Sequence, residues 1–144
     1  DSNDKYANAQ TAYLLQKIEE YDGVVILASN YMQNFDEAFK RRIKFIIEFP
    51  FPMPEYRYRM WKQVFPDKLP LEELDYEYLA ARFELSGSSI KNIAVAAAFL
   101  AAGQGAKVAM NHILTALRDE MIKSGKSMPP ESFGEYFELL NSVG

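Results

Sequence analysis

The chain has 144 residues, 49% of them apolar and 14% aromatic, so it can bury a sizeable core and does not read as disordered. A formal net charge of −4 argues against a general nucleic-acid binder, and the lack of cysteine excludes disulfides and thiolate metal sites. No run approaches the ~18 apolar residues of a membrane span.

The start, DSNDKYANAQ, lacks the basic and apolar blocks of a signal peptide. With no cysteine to protect, a reducing cytoplasm is the expected location. The start also lacks a methionine, so the chain reads as a piece of something longer. Residues 1–8 are polar and expected as loop. A helix is expected over residues 9–21, where Leu14, Leu15, Ile18 and Tyr21 recur at helical spacing. Asp22-Gly23 ends it. Val24 to Ala28 and Ile43 to Phe49 are apolar runs of the kind that suits strands buried on both faces of a parallel sheet. Between them, Asn34 or Asp36 can cap a short helix over residues 36–41, with Lys40, Arg41 and Arg42 in or beside its last turn. Pro50, Pro52 and Pro54 mark a boundary, because alternating prolines cannot continue a central strand.

Beyond Pro54 the pattern is helical. Helices are expected over residues 55–65, over 76–83 with Asp75 as cap, and over 87–102 with Ser86 as cap. Another is expected over residues 109–124, and a short last one follows Pro130. The longest of these carries Ile90, Ile93, Ala94, Ala97 and Ala101 along one stripe. His112 is a lone histidine, expected at the surface. Tyr56, Tyr58, Trp61 and Phe65 read as core and not as a base-stacking platform. No His, Asp or Glu cluster has metal-ligand spacing, and one histidine cannot build a Ser-His-Asp set.

The order of these segments is similar to a known family. LLQKIEEYDG, VVILASN, FDEAFKRRI and FIIEFPFP, taken together, resemble the second half of the AAA+ ATPase module. FELSGSSIKNIAVAAAFLAA resembles the family's lid helix, opening Ser-Gly-x-x-Ile. The resemblance covers roughly residues 6–124, and its flavour is that of bacterial ATPases found near phage-tail-like contractile injection systems. The expected fold class is therefore α/β followed by all-α. Residues 1–52 are expected to form the C-terminal part of a P-loop NTPase parallel sheet, two strands with flanking helices. Residues 53–144 are expected to form a helical lid bundle.

The resemblance also implies roles. Asn30, at a strand end, takes the sensor 1 position and orients water against the terminal phosphate of ATP; taken alone it reads as a turn residue. Arg41 or Arg42 acts as an arginine finger on the nucleotide of a neighbouring subunit. The rival reading is a pair of helix-terminal charges on a solvated face, and the sequence does not choose between the two arginines. Gly87 is expected to permit a tight turn or close approach. Lys91, one turn into that helix, is either a sensor 2-like contact or a solvated charge.

The departures are equally specific. The sequence contains no GxxxxGK[ST] loop and no apolar run ending in Asp-Glu. Those motifs cradle the phosphates and hold Mg²⁺. The expectation is thus a C-terminal fragment, inactive alone, of an enzyme that binds ATP and Mg²⁺ mainly through its other half. In full it would work as a homo-oligomeric, hexameric ring on a protein substrate, without membrane or nucleic acid. The alternative is a non-catalytic AAA-like adaptor or assembly module. A freestanding helical interaction domain fits the bundle but not the two apolar runs.

Overall fold

The computed structural model describes residues 2–29 and 35–141, with side chains described from Ala9 onward. These residues form seven α-helices and no β-strand. The chain divides into two compact units, Asp1–Glu48 and Phe49–Gly144.

The first unit contains α1 (Ser2–Glu20) and the single turn α2 (Glu37–Lys40). Asp36 is the cap of α2: its Oδ1 accepts from the Phe39 amide at 2.7 Å. Phe39 is buried and stacks on Phe35 at 4.4 Å between ring centroids, which anchors the turn.

Here the expected α/β half is overturned. The runs expected as strands, residues 24–28 and 43–49, form no ladder, and the sole β-bridge among the described residues joins Leu71 to Val108 in the other unit. Val24, Ile26 and Phe45 are 87%, 88% and 85% exposed, the opposite of strands buried on both faces. The physical reason is that an apolar, β-branched run sets a local preference for extended backbone. A strand needs in addition a neighbour whose N–H and C=O groups meet its own. Two short segments rarely provide this without further strands or a covering helix.

The second unit is helical, as expected. It comprises α3 (Pro54–Val64), α4 (Tyr76–Arg82), α5 (Gly87–Gly103), α6 (Met110–Lys123), a three-ten segment (Pro130–Tyr136) and α7 (Phe137–Asn141). Pro54 opens α3, where its missing N–H costs nothing. Asp75 Oδ1 accepts from the Tyr78 amide at 2.9 Å, and Ser86 Oγ from the Ser89 amide at 3.1 Å, so both expected caps are made. The stripe Ile90, Ile93, Ala94, Ala97, Ala101 of α5 is wholly buried, and α5 packs along α6 through Ile113, Leu114 and Leu117. Trp61 of α3 and Leu79 of α4 close the same core. Tyr56 departs from expectation: it is exposed, while Trp61 and Phe65 are core as expected.

Three side chains that the sequence left unmarked hold the bundle's parts in place. Arg57 is buried; its Nε donates to the Ala80 carbonyl at 2.9 Å and its guanidinium NH1 to the Pro52 carbonyl at 2.5 Å, stitching the start of α3 to the end of α4. Arg82 donates to the Ser132 and Glu131 carbonyls at 2.8 and 3.0 Å, and Tyr78 OH donates to the Phe133 carbonyl at 2.5 Å. α4 therefore fastens the three-ten segment. His112 is buried, contrary to expectation. Its Nδ1 accepts from the Ala109 amide at 3.0 Å, so the ring hydrogen sits on Nε2, 2.8 Å from Gln104 Oε1. Both ring nitrogens are satisfied, which is what allows burial.

Candidate functional site

The cations of the first unit follow from α2. The half-buried Lys40 closes its last turn, and the exposed Arg41 and Arg42 follow at its negative end, where positive charge is favoured. Lys40 Nζ lies 3.4 Å from Glu37 Oε1, and Arg42 Nε lies 2.8 Å from Glu19 Oε1 on α1. Arg41 is exposed and has no ion-pair partner among the described residues. Arg42 and Glu19 line a groove of about 630 Å³ with Thr11, Leu15 and Asp36; Arg41 is not among its lining residues. An exposed guanidinium of this kind can take a phosphate or carboxylate through two parallel N–H donors.

Asn30 lies outside the described residues. Ser29, beside it, is exposed.

In the second unit, Gly87 and Lys91 are both exposed at the start of α5, below the Ser86 cap. A Cβ on Gly87 would meet Met60 Sδ at 3.7 Å, an ordinary contact, and its φ is not positive. Packing within the bundle thus leaves room for a Cβ at this position. Lys91 makes no ion pair among the described residues.

A cleft of about 680 Å³ opens elsewhere on the bundle, lined by Tyr58, Tyr76 and Tyr136 and by the carboxylates Glu72, Glu73, Asp75 and Glu77. Asp75 serves two partners, capping α4 with Oδ1 and accepting Tyr136 OH through Oδ2 at 2.8 Å. That hydrogen bond, followed by burial, pushes the Tyr136 hydroxyl up to about 12. Burial, then the neighbouring Tyr58, raises Tyr76. Four carboxylates repel phosphate, so this cleft is not where a nucleotide's charged end would sit.

Among the described residues, no group of three His, Asp or Glu is placed to hold a metal ion. No helix among them is long and apolar enough to cross a membrane. No protein-family model matches the sequence, and a search of curated proteins finds no match.

Proposed function

We propose that this chain is the arginine-bearing and lid part of an AAA+ ATPase, a cytoplasmic homo-oligomeric ring, hexameric in form, that couples ATP hydrolysis to remodelling or assembly of a partner protein. The observation that carries the reading is the arginine pair at the end of α2, with Arg41 exposed and unneutralised by any carboxylate among the described residues. Support comes also from the order of the segments, in which FDEAFKRRI is followed by a helical bundle whose α5 opens on Ser86-Gly87. The reading draws on these residues and not on a sheet.

In this reading, water attacks the terminal phosphorus of ATP, the bond to the bridging oxygen breaks, and the electron pair leaves with ADP. Negative charge grows on the phosphate oxygens as that bond loosens. A guanidinium supplied by a neighbouring subunit offsets it, an effect worth roughly 10³–10⁵ in rate in phosphoryl transfer. Asn30 orients the attacking water. Lys91, at the positive end of α5, meets the nucleotide from the lid side. The sequence has no phosphate loop, so the chain alone is expected to show no turnover.

The exposed apolar residues Val24, Ile26, Phe45 and Phe49 favour a second reading, a non-catalytic AAA-like assembly module, because such surface invites a partner. The coding sequence on the N-terminal side of Asp1 separates the two. A GxxxxGK[ST] loop followed by an apolar strand ending in Asp-Glu, together with magnesium-dependent ATP turnover by the encoded protein, supports the enzyme. A protein with neither motif nor turnover overturns it in favour of the module.

A further inference from the structure

We infer that the cleft formed by α3, α4, the start of α6 and the C-terminal segment is a docking site for a basic segment of a partner protein. Arginine or lysine side chains of that segment lie against its tyrosine walls and meet its carboxylates. All of the lining residues belong to the second unit. The site goes beyond the ATPase reading and does not depend on it, because an enzyme and an assembly module can both use it.

Bonds within the bundle hold the acidic wall in place. The Val108 amide donates to the Pro70 carbonyl and the Glu72 amide to the Val108 carbonyl, both at 2.9 Å, and the Asp75 amide lies 3.4 Å from Met110 Sδ. Residues 70–75 are thereby pinned to the start of α6, so their carboxylates project from a fixed frame and not from a free loop. Asp75 uses both oxygens inside the protein, on the Tyr78 amide and the Tyr136 hydroxyl. Glu72, Glu73 and Glu77 are exposed, and their side chains make no hydrogen bond or ion pair among the described residues. No lysine or arginine lines the cleft. Like charges held in so short a stretch repel one another, and an incoming cation relieves that repulsion.

The tyrosines add what acids alone lack. Tyr58 and Tyr76 meet edge to face, 6.5 Å apart and at 90°, so their rings offer faces in two directions. Tyr58 already carries a cation, since Lys62 Nζ lies 5.5 Å from its ring centroid. The Tyr136 hydroxyl, pushed up to about 12 by its bond to Asp75 and by burial, stays a neutral donor. No three acids among the described residues converge as a metal ion requires, so a point-like divalent cation is a poor match. The negative charge is spread instead along residues 72–77, in a cleft of about 680 Å³. A basic peptide carries its charge in the same way, at intervals along a chain. Its lysine and arginine stems can lie on tyrosine faces while their heads reach carboxylates, and a guanidinium meets a carboxylate through two parallel donors. Because Glu72, Glu73 and Glu77 are exposed, a small organic cation would stay largely in water, whereas a peptide engages several of them at once.

The test measures binding of a fluorescein-labelled peptide of alternating arginine and glycine to the 144-residue chain, by anisotropy at low and at physiological salt. Saturable binding that weakens as salt rises is expected. A triple variant, Glu72→Gln with Glu73→Gln and Glu77→Gln, should bind about tenfold more weakly, the sum of three modest ion pairs. A control variant, Asp67→Asn with Glu84→Gln and Asp119→Asn, removes the same charge outside the cleft lining and should bind like wild type. Tyr58→Leu keeps an apolar wall and loses the ring face, and should weaken binding about 2- to 5-fold, which diffuse attraction to an acidic protein does not predict. It also decides the matter if Trp61 fluorescence shows that the triple variant fails to fold. The site is overturned if the peptide does not bind, if the control variant loses as much as the triple variant, or if Tyr58→Leu has no effect. Spermine binding as tightly as the peptide overturns the peptide assignment in favour of a free polyamine. Self-association of the chain that the triple variant abolishes overturns it in favour of a second copy. None of these readouts involves ATP turnover, so failure here leaves the ATPase reading untouched.

Discussion

Arg57 illustrates how one side chain can hold two helices. It is buried without a carboxylate among the described residues, and its charge is satisfied by the Pro52 and Ala80 carbonyls. Ala80 lies near the C-terminal end of α4, where carbonyls are left without helical partners and the helix dipole favours a cation. Arg57→Ala removes both bonds and leaves two carbonyls short of a donor. It is expected to destabilise the bundle by about 3 kcal/mol. Urea unfolding followed by tryptophan fluorescence checks this; a change below about 1 kcal/mol would mean that water replaces the guanidinium at no cost. No residue-type rule points to Arg57 in the sequence, since an arginine in the first turns of a helix reads as solvated. His112 was hidden in the same way. Its neighbours Ile113 and Leu114 mark the buried face, but the two hydrogen bonds that admit an imidazole to the interior come from Ala109 and Gln104, and the latter lies on another element.

At the scale of elements, the glycines separate function from fold. Gly134 has φ of 52° and ψ of −125° inside the three-ten segment, a conformation that side chains resist, and the Arg82 guanidinium lies 3.6 Å from where its Cβ would be. Gly87 sits in α5 without a positive φ, and a Cβ there would make only ordinary contact with Met60. Gly134→Ala is therefore expected to cost about 1–3 kcal/mol. Gly87→Ala is expected to leave stability unchanged or raise it by about 0.5 kcal/mol. Thermal unfolding of the two variants side by side checks the contrast. Equal losses at both positions would show that Gly87 is needed for packing after all, and would remove it from the candidate site. Side-chain caps were legible in the sequence, but the start of α1 was not: the helix begins at Ser2, where residues 1–8 were expected as loop. Asp36, Asp75 and Ser86 all cap the helices their positions foretold, because capping is a contact within four residues and needs no distant partner.

For the whole molecule, the two units differ in how they satisfy their apolar residues. The bundle's core, from Trp61 through Leu79, Ile93 and Leu117 to Leu140, is drawn entirely from residues of Phe49–Gly144. Residues 49–144 alone are accordingly expected to unfold in one cooperative transition. Trp61, the single tryptophan of the chain and fully buried, reports on that transition. In the whole chain its fluorescence midpoint should match that of residues 49–144 alone. A much lower midpoint for the isolated bundle would show that the first unit contributes to its stability. The first unit instead leaves Val24, Ile26 and Phe45 largely in solvent. Its buried anchors are few, with Phe39 and Leu15 the clearest.

What the sequence by itself determined is whatever depends on near neighbours. Helix periodicity, caps, the proline boundary and the buried stripe of α5 all follow from contacts or spacings within a few residues. It determined equally that no phosphate loop is present, since that motif is local too. Only the tertiary structure decided the rest. Residues 24–28 and 43–49 have the composition of strands, yet no ladder forms among the described residues, because pairing needs a partner segment that local preference cannot provide. Arg41 and Arg42 are equal in the sequence and unequal in space, because Glu19, more than twenty positions away, reaches one of them and not the other.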